Sequence, residues 1–212
     1  MIAEFHKRDR ARWISHLDLQ RAMQRALRRA KLPVGYSQGF NPHVNLSFAS
    51  ALSLGLESLC EILDVELSAP AEPEAFMAAL NAVLPAGLKI LRARLVEDAA
   101  PAPMALMRFA EYQAFVLQSG LTGAASTLMA SETVLAQKQS KKGTRQVDIR
   151  PMLFALEALE EAAGTRLTML LLCSNADNLR PEAVLSALGA RDASKTTRTR
   201  LLKADGSDLF LF

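Results

Sequence analysis

The chain has 212 residues, of which half are hydrophobic and 22% are charged. This length suits one large domain or two small ones with a buried core, and the composition disfavours intrinsic disorder. No apolar run approaches the roughly 20 residues that span a bilayer, and residues 1–7 lack a signal-peptide core. We therefore expect a cytoplasmic protein without a membrane segment. Its two cysteines, Cys60 and Cys173, lie far apart, which favours reduced thiols over a disulfide.

Positive charge is concentrated at the start of the chain, although the net charge of the whole is only +3. Residues 1–45 contain nine Lys or Arg and three Asp or Glu, a net charge of +6, whereas the remaining 167 residues carry −3. This asymmetry predicts an anionic partner on one part of the surface. The alternative is an ordinary solvated helix face that binds nothing.

The apolar periods of the first half predict six elements. Their order is strand, helix, strand, strand, helix, strand, at residues 1–7, from Ser15 to Pro33, and at residues 46–49, 61–67, 72–84 and 88–96. Hydrophobic and acidic residues alternate over residues 61–67, as in a half-buried strand. The order is that of a split βαβ, or ferredoxin-like, unit.

The first predicted helix has a well-marked start and two distinct faces. Ser15 suits the N-cap, and Asp18, three residues on, completes a capping-box pattern. Apolar residues recur at helical spacing and form a core-facing stripe of Leu19, Ala22, Met23, Ala26, Leu27 and Ala30. The remaining surface carries four arginines, namely Arg21, Arg25, Arg28 and Arg29.

The second half repeats this order less clearly, after a linker rich in proline and alanine at residues 97–105. The predicted elements are a strand at 106–117, a helix at 121–130, strands at 132–138 and 145–149, a helix at 151–162, a strand at 166–173, a helix at 181–189, and a C-terminal hairpin of residues 199–203 and 209–212. We therefore predict an α+β protein of two ferredoxin-like (βαββαβ) units, at 1–96 and 106–212, with antiparallel sheets and helices packed on one face. A single mixed domain is the alternative.

Three histidines, His6, His16 and His43, lie within the first 43 residues. Their clustering raises a metal interpretation, but a structural zinc site needs about four closely spaced ligands, and no C-x2-C or H-x3-H pair occurs. A histidine titrates near pH ~6.5, so His16 and His43 also raise acid–base cleavage of RNA as an alternative. The chain has no Walker loop, G-x-G-x-x-G or G-x-S-x-G motif, which argues against the common nucleotide-binding and hydrolase classes.

The segment YSQGFNPH at residues 36–43 mixes aromatic, amide, hydroxyl and imidazole groups in one predicted loop. Such a loop can stack nucleic-acid bases and bind their edges. The alternative, which composition alone favours, is a tight turn anchored by buried Tyr36 and Phe40. A second basic run around Lys141 and Lys142 predicts either a solvated strand edge or further phosphate contacts.

Several of these segments resemble the bacterial radical SAM-linked protein family. The resemblance rests on RWISHLDL at residues 12–19, YSQGFNPH at 36–43 with LSF at 46–48, LGLES at 54–58, and VDIRP at 147–151. It implies work alongside a radical SAM enzyme, separate or fused. The chain has no C-x3-C-x2-C motif, so the resemblance places the iron–sulfur cluster in the partner.

The first half is also similar, more distantly, to the CRISPR repeat-processing endoribonucleases. The similarity rests on the ferredoxin-like order and on the tyrosine-serine-x-glycine-phenylalanine loop at residues 36–40. Those enzymes usually carry a glycine-rich loop near the C-terminus, whereas residues 164–212 contain only Gly164, Gly189 and Gly206, widely separated. This resemblance therefore implies RNA binding and not cleavage.

We accordingly predict a non-catalytic accessory module of a radical SAM enzyme that binds or presents an anionic substrate, with RNA the leading candidate. The predicted phosphate contacts are Arg12, Arg21, Arg25, Arg28 and Arg29. The predicted substrate or partner contacts are His16, Tyr36, Gln38, Phe40, Asn41, His43, Lys141 and Lys142. We expect no catalytic residue, metal or cofactor. The alternatives are a metal-independent ribonuclease using His16 or His43, and a protein-interaction module.

Overall fold

The computed structural model describes residues 1–97, 99–140, 143–190 and 193–212. The chain forms two compact units, unit 1 of Met1–Met107 with Ser207–Phe212, and unit 2 of Arg108–Gly206. Both units mix helices with antiparallel strands, so the predicted α+β class is confirmed. None of the helices built from the described residues is long and apolar enough to cross a membrane.

Unit 1 has the ferredoxin-like order. In chain order its elements are β1 (Ile2–Lys7), α1 (His16–Arg29), β2 (Leu46–Phe48), β3 (Glu57–Val65), α2 (Pro73–Asn81), β4 (Leu88–Arg94) and the short α3 (Pro103–Leu106). Its strands lie in the order β4-β1-β3-β2, and each neighbouring pair is antiparallel. Apart from the short α3, this is the order of strands and helices that the sequence predicted.

Local side-chain chemistry explains where α1 begins and ends. The Ser15 hydroxyl accepts the Asp18 backbone N–H at 3.1 Å and donates to the Asp18 carboxylate at 2.8 Å, so the predicted cap is confirmed. After the C-cap at Ala30, Lys31 adopts a left-handed φ of 54° and ends the helical hydrogen bonding. Pro33 follows two residues later and cannot continue a helix.

The core of unit 1 lies between α1, α2 and one face of the sheet. Its buried members include Ala3, Phe5, Leu19, Met23, Ala26, Leu27, Leu63, Val65, Phe76 and Leu80. The buried residues of α1 all belong to the predicted apolar stripe, while Ala22 and Ala30 of that stripe are half-buried. Both helices pack on the same sheet face. The predicted half-buried alternation is confirmed from Leu63 to Leu67, where Leu63 and Val65 are buried and Glu66 is exposed. Earlier in β3 both faces are covered, because Glu61 and Ile62 are both buried.

The opposite face of this sheet meets residues 207–212. Arg92 on β4 makes a bidentate ion pair with Glu4 on β1, with both distances 2.7 Å, and also binds Asp208 at 2.9 Å. Its guanidinium lies 4.3 Å from the centre of the Phe210 ring. The Glu4 carboxylate holds the pKa of Arg92 above its ordinary value. The C-terminal segment is therefore part of unit 1 through charge and ring contacts.

Unit 2 follows the same strand order with one insertion. Its elements are β5 (Met107–Val116), α4 (Leu121–Ala130), β6 (Leu135–Ser140), β7 (Gly143–Asp148), β8 (Leu153–Glu161), β9 (Gly164–Leu172), α5 (Pro181–Ala187) and β10 (Ala193–Lys203). Its main strands lie in the order β10-β5-β9-β8. In the part of the chain that the structure describes, β6 and β7 form a separate two-stranded hairpin. Without that hairpin the order is again βαββαβ.

The predicted helix at residues 151–162 is wrong. Pro151 lies in a short 3-10 turn, Arg150–Met152, and the following residues form β8. This segment, LFALEALEE, consists mainly of good helix formers, yet it pairs with β9 from Leu153 through Glu161. Pairing within the sheet overrides the intrinsic preference. Unit 2 still has the ferredoxin-like order, because α5 takes the place of the helix predicted at residues 151–162 as its second helix.

The predicted C-terminal hairpin is also wrong. The turn at residues 204–206 exists, and β10 precedes it, but residues 209–212 form no second strand. Leu209 and Phe210 are buried instead, and the Phe210 carbonyl accepts from Arg94 Nε at 2.9 Å. The Arg94 side chain on β4 therefore supplies hydrogen bonds to the Phe210 and Phe212 carbonyls that a strand partner would otherwise have supplied.

Candidate nucleic-acid interface

The exposed face of α1 carries the four predicted arginines. Arg21, Arg25, Arg28 and Arg29 are all exposed, whereas the buried stripe occupies the other side of the helix. Arg21 binds Asp18 at 3.2 Å, and the pKa of that carboxyl is lowered, mainly by the Ser15 hydroxyl and then by Arg21. Among the described residues, no carboxylate lies within ion-pair distance of the other three guanidinium groups.

The loop after α1 is closed at its base by hydrogen bonds. Tyr36 bridges to Val44, and the Ser37 N–H donates to the His43 carbonyl at 2.9 Å. The Ser37 hydroxyl also accepts the His43 N–H and lies 3.1 Å from the His43 ring nitrogen Nδ1. Gly39 has a left-handed φ of 121°, which lets the tip turn sharply. These bonds hold residues 38–42 out as an exposed tip.

Phe40 at this tip is fully exposed, at 103% of its reference area, and Tyr36 is 44% exposed. The interpretation of the loop as a turn anchored by buried Tyr36 and Phe40 is therefore wrong. The remaining predicted contacts of the loop, Gln38, Asn41 and His43, are also exposed. Every side chain on the tip faces water.

One contact joins the loop to the basic helix. The guanidinium carbon of Arg28, in the last turn of α1, lies 6.0 Å from the centre of the Tyr36 ring. This distance is within the range of a cation–π interaction. The α1 arginines and residues 36–43 thus belong to one stretch of surface, which we call the basic surface.

Arg12 and His16 lie at the other end of α1. Arg12 is half-buried with its guanidinium 4.9 Å from the Trp13 ring centre, and its carbonyl accepts from Gly55 N–H at 2.9 Å. His16 is half-buried and packs edge-on against Phe48, with ring centres 5.3 Å apart. The 14 residues of α1 span about 21 Å, so His16 and His43 lie near opposite ends of a helix.

Two other features were considered from the sequence, the basic pair Lys141 and Lys142 and a metal site. Lys141 and Lys142 lie outside the described residues. No group of three His, Cys, Asp or Glu in the described part of the chain could hold a metal ion.

A groove of about 700 Å³ lies elsewhere in unit 1, lined in part by Asn45, Asp64 and Glu66. Burial raises the pKa of Asp64. Acidic side chains make this groove unsuited to an anionic ligand.

Sequence reasoning missed three exposed apolar side chains near the start of α1. Trp13 is 60% exposed, Leu17 is 62% exposed and Leu54 is 60% exposed. Leu17 precedes Arg21 by four residues, a spacing that places it on the basic face of α1. Helical spacing alone could therefore have predicted that Leu17 is exposed. The exposure of Trp13 and Leu54 depends on tertiary structure.

The fold and the basic surface define an α+β protein whose ferredoxin-like first unit presents arginines beside exposed aromatic rings. The chain belongs to the bacterial family described as "Uncharacterized protein conserved in bacteria (DUF2344)", whose model matches residues 1–181. A search of curated proteins finds no match. Among solved structures, an unknown protein from Galdieria sulphuraria is 17% identical over 89% of this chain and 88% of that one, with a TM-score of 0.26. That score is too low to support an argument.

Proposed function

We propose that unit 1 is a non-catalytic nucleic-acid-binding module and that its ligand is RNA. The observation that carries this proposal is the fully exposed Phe40 on a loop that the Arg28–Tyr36 contact joins to four exposed arginines. Arginine forks match phosphate oxygens and keep their charge at any physiological pH. Exposed aromatic rings accept stacked bases, and amide and imidazole groups such as those of Gln38, Asn41 and His43 bind base edges.

The charge distribution supports the same ligand class. Arg25, Arg28 and Arg29 have no acidic neighbour within ion-pair distance among the described residues, so their positive charge is not neutralised locally. A concentrated positive surface raises the local concentration of polyanions and speeds their association. Because phosphate contacts release bound counterions, binding of this kind must weaken steeply with salt.

The first experiment measures the affinity of labelled RNA by fluorescence anisotropy over a range of salt concentrations. The log of the affinity should fall with the log of the salt concentration at about −0.7 per phosphate contact. The double variant Arg21→Glu with Arg25→Glu should bind at least about tenfold more weakly, because hydrogen bonds to charged groups contribute roughly 1.5–3 kcal/mol each. For this variant, the slope of log affinity against log salt concentration should be shallower by about 1.4, because two phosphate contacts are lost.

The matched control reverses two exposed arginines of unit 2, Arg108→Glu with Arg180→Glu. This variant has the same net charge as the first but retains the basic surface, so its affinity should stay near that of the natural chain. Affinity unchanged by both the α1 reversal and salt would overturn the proposal and favour the protein-interaction alternative. Gel analysis of the same mixtures tests the ribonuclease alternative, because intact RNA is expected after long incubation.

The second experiment replaces Phe40 with Ala. Loss of one base stack costs roughly 1–3 kcal/mol of binding free energy. The thermal unfolding of the variant should match that of the natural chain, since the ring contacts water and not the core. A variant that binds RNA normally would remove Phe40 from the interface.

We further propose that the bound RNA is presented to a radical SAM enzyme. The support is the resemblance of residues 12–58 to the radical SAM-linked family, together with the lack of a C-x3-C-x2-C motif in this chain. Crosslinking in the native cell followed by mass spectrometry should find a partner that carries this motif. Repeated crosslinking to other proteins alone would remove this part of the proposal and leave RNA binding untouched.

A further inference from the structure

A second exposed aromatic ring lies at the other end of α1 from Phe40. Trp13, three residues before the first residue of the helix, is 60% exposed. Its ring packs against Gly55, where an added Cβ would come within 3.1 Å of the ring and where φ is +87°. The Gly55 N–H also donates to the Arg12 carbonyl. The loop at Gly55 therefore supports the ring, the Arg12 guanidinium lies 4.9 Å from the ring centre, and the residue as a whole is still 60% exposed.

A stripe of side chains runs along α1 between the end that follows Trp13 and the end that precedes the loop. Leu17, Arg21, Arg25 and Arg28 follow one another at spacings of four, four and three residues, so they lie along one face of α1. Arg28 then reaches the ring of Tyr36 at 6.0 Å. The stripe begins at Leu17, four residues after Trp13 in the chain, carries three guanidinium groups, and ends at the loop that bears Phe40.

We propose that the basic surface binds single-stranded nucleic acid along this stripe, with one base stacked on Trp13 and another on Phe40 or Tyr36. The proposal rests on the nucleic-acid-binding function and adds the form of the ligand and the size of the site. The bases of a duplex are already stacked on their neighbours, whereas single strands can offer a base face to a protein ring. The arginines between the rings hold the intervening phosphates.

The length of α1 sets the size of this site. Its 14 residues span about 21 Å. A stacked strand rises about 3.4 Å along its axis per nucleotide, so about six nucleotides match the length of α1. Both rings lie beyond the ends of the helix, so six is the minimum for a stacked strand that reaches both. An extended strand needs fewer. A strand of two or three nucleotides reaches only one end.

Trp13 provides its own readout, because it is the single tryptophan of the chain. A base stacked on its ring should quench the intrinsic fluorescence. We expect single strands of six or more uridines to quench it, with the same dissociation constant that anisotropy gives. A duplex of equal length should bind more weakly and leave the fluorescence unchanged.

Substitutions of the rings at the two ends of α1 should affect the binding of long and short strands differently. With a ten-nucleotide strand, Trp13→Ala and Phe40→Ala should each weaken binding by about 5- to 150-fold, the loss of one base stack, and the double variant should show the product of the two. A trinucleotide that uses either end equally should lose only about twofold with one substitution. It should lose most of its affinity when both rings are removed.

Controls keep these outcomes specific. Trp13→Phe retains a stacking ring and should restore most of the affinity lost in Trp13→Ala, while thermal unfolding of both variants checks the fold. Leu159→Ala removes an apolar side chain of unit 2 with 63% exposure and should have no effect.

The possible failures are distinguishable. RNA binding that depends on Phe40 and the arginines but not on Trp13, with unchanged fluorescence, overturns the single-strand path and leaves the proposed function standing. A duplex that binds as tightly as the single strand also overturns it. Absence of salt-dependent RNA binding in the natural chain defeats both proposals.

Discussion

The two units place a helix at the same point of the same strand order, and these helices differ sharply in charge. In unit 1, α1 carries four arginines on its exposed face, whereas α4 of unit 2, with the sequence LTGAASTLMA, has no charged residue. Both helices bury an apolar stripe, which in α4 includes Leu121, Ala125 and Leu128. The fold therefore needs the buried stripe but not the arginines. Their presence on α1 calls for a reason outside the fold.

The units also differ in the segment inserted after this helix. Unit 1 has the loop with Phe40 between α1 and β2, whereas unit 2 has the β6–β7 hairpin between α4 and β8. Arg150, close to this hairpin, donates to the Leu153 and Met129 carbonyls at 2.8 and 2.9 Å. In both units the inserted segment therefore lies between the first helix and the second strand of the ferredoxin-like order. The Arg150 side chain binds backbone carbonyls, whereas the arginines of α1 face solvent.

The largest expected effect tests whether the two faces of α1 have separate roles. Leu27 is fully buried, and Leu27→Ala should lower the free energy of unfolding by about 2–5 kcal/mol through lost burial and a residual cavity. Arg25→Glu on the exposed face should change it by less than about 0.5 kcal/mol. Urea unfolding of each variant measures both values. A comparable loss in Arg25→Glu would mean that the arginines support the fold, and the contrast with α4 would lose its functional meaning.

Local rules predicted much of unit 1, because its features depend on residues close in sequence. The Ser15 cap, the buried stripe of α1 and the end of the helix before Pro33 all follow from short-range chemistry. The strand β8 did not follow, because its helix-forming residues pair with β9 across the sheet. Phe40 did not follow either, since the same turn residues suit a buried anchor or an exposed tip. Only tertiary structure distinguishes these two.

A smaller effect concerns how the two helices are capped. The Ser15 hydroxyl caps α1 from within its own segment, so Ser15→Ala should cost about 1 kcal/mol of unfolding free energy. The matched control is Ser126→Ala in α4, whose hydroxyl donates to the Thr122 carbonyl one turn earlier. That interaction does not satisfy a helix end, so its loss should be near neutral. Urea unfolding compares the two, and equal losses would contradict the capping argument.

The smallest effect concerns the cap of α4, which comes from a different strand. The helix follows Gly120, which has a left-handed φ of 84°. One carboxylate oxygen of Glu160, on β8, accepts the N–H groups of Gly120 and Leu121 at 3.0 and 3.1 Å and the Thr122 hydroxyl at 3.2 Å. The Gly120 N–H is the main reason that the pKa of Glu160 is lowered. A negative charge also suits the N-terminal end of a helix.

The lowered pKa of Glu160 determines how its contribution to folding stability changes with pH. A carboxyl whose pKa is lower in the folded state stabilises that state above its unfolded pKa, and this contribution is lost as the pH falls through the folded value. Glu160→Gln keeps an acceptor oxygen but removes the charge, so its melting temperature should lie below that of the natural chain at pH 7. The gap should narrow as the pH falls below the ordinary range of a glutamate. Glu157→Gln, an exposed change on the same strand, is the control and should show no such gap. A gap that stays constant from pH 7 to pH 3 would mean that hydrogen-bond geometry, and not charge, holds the start of α4.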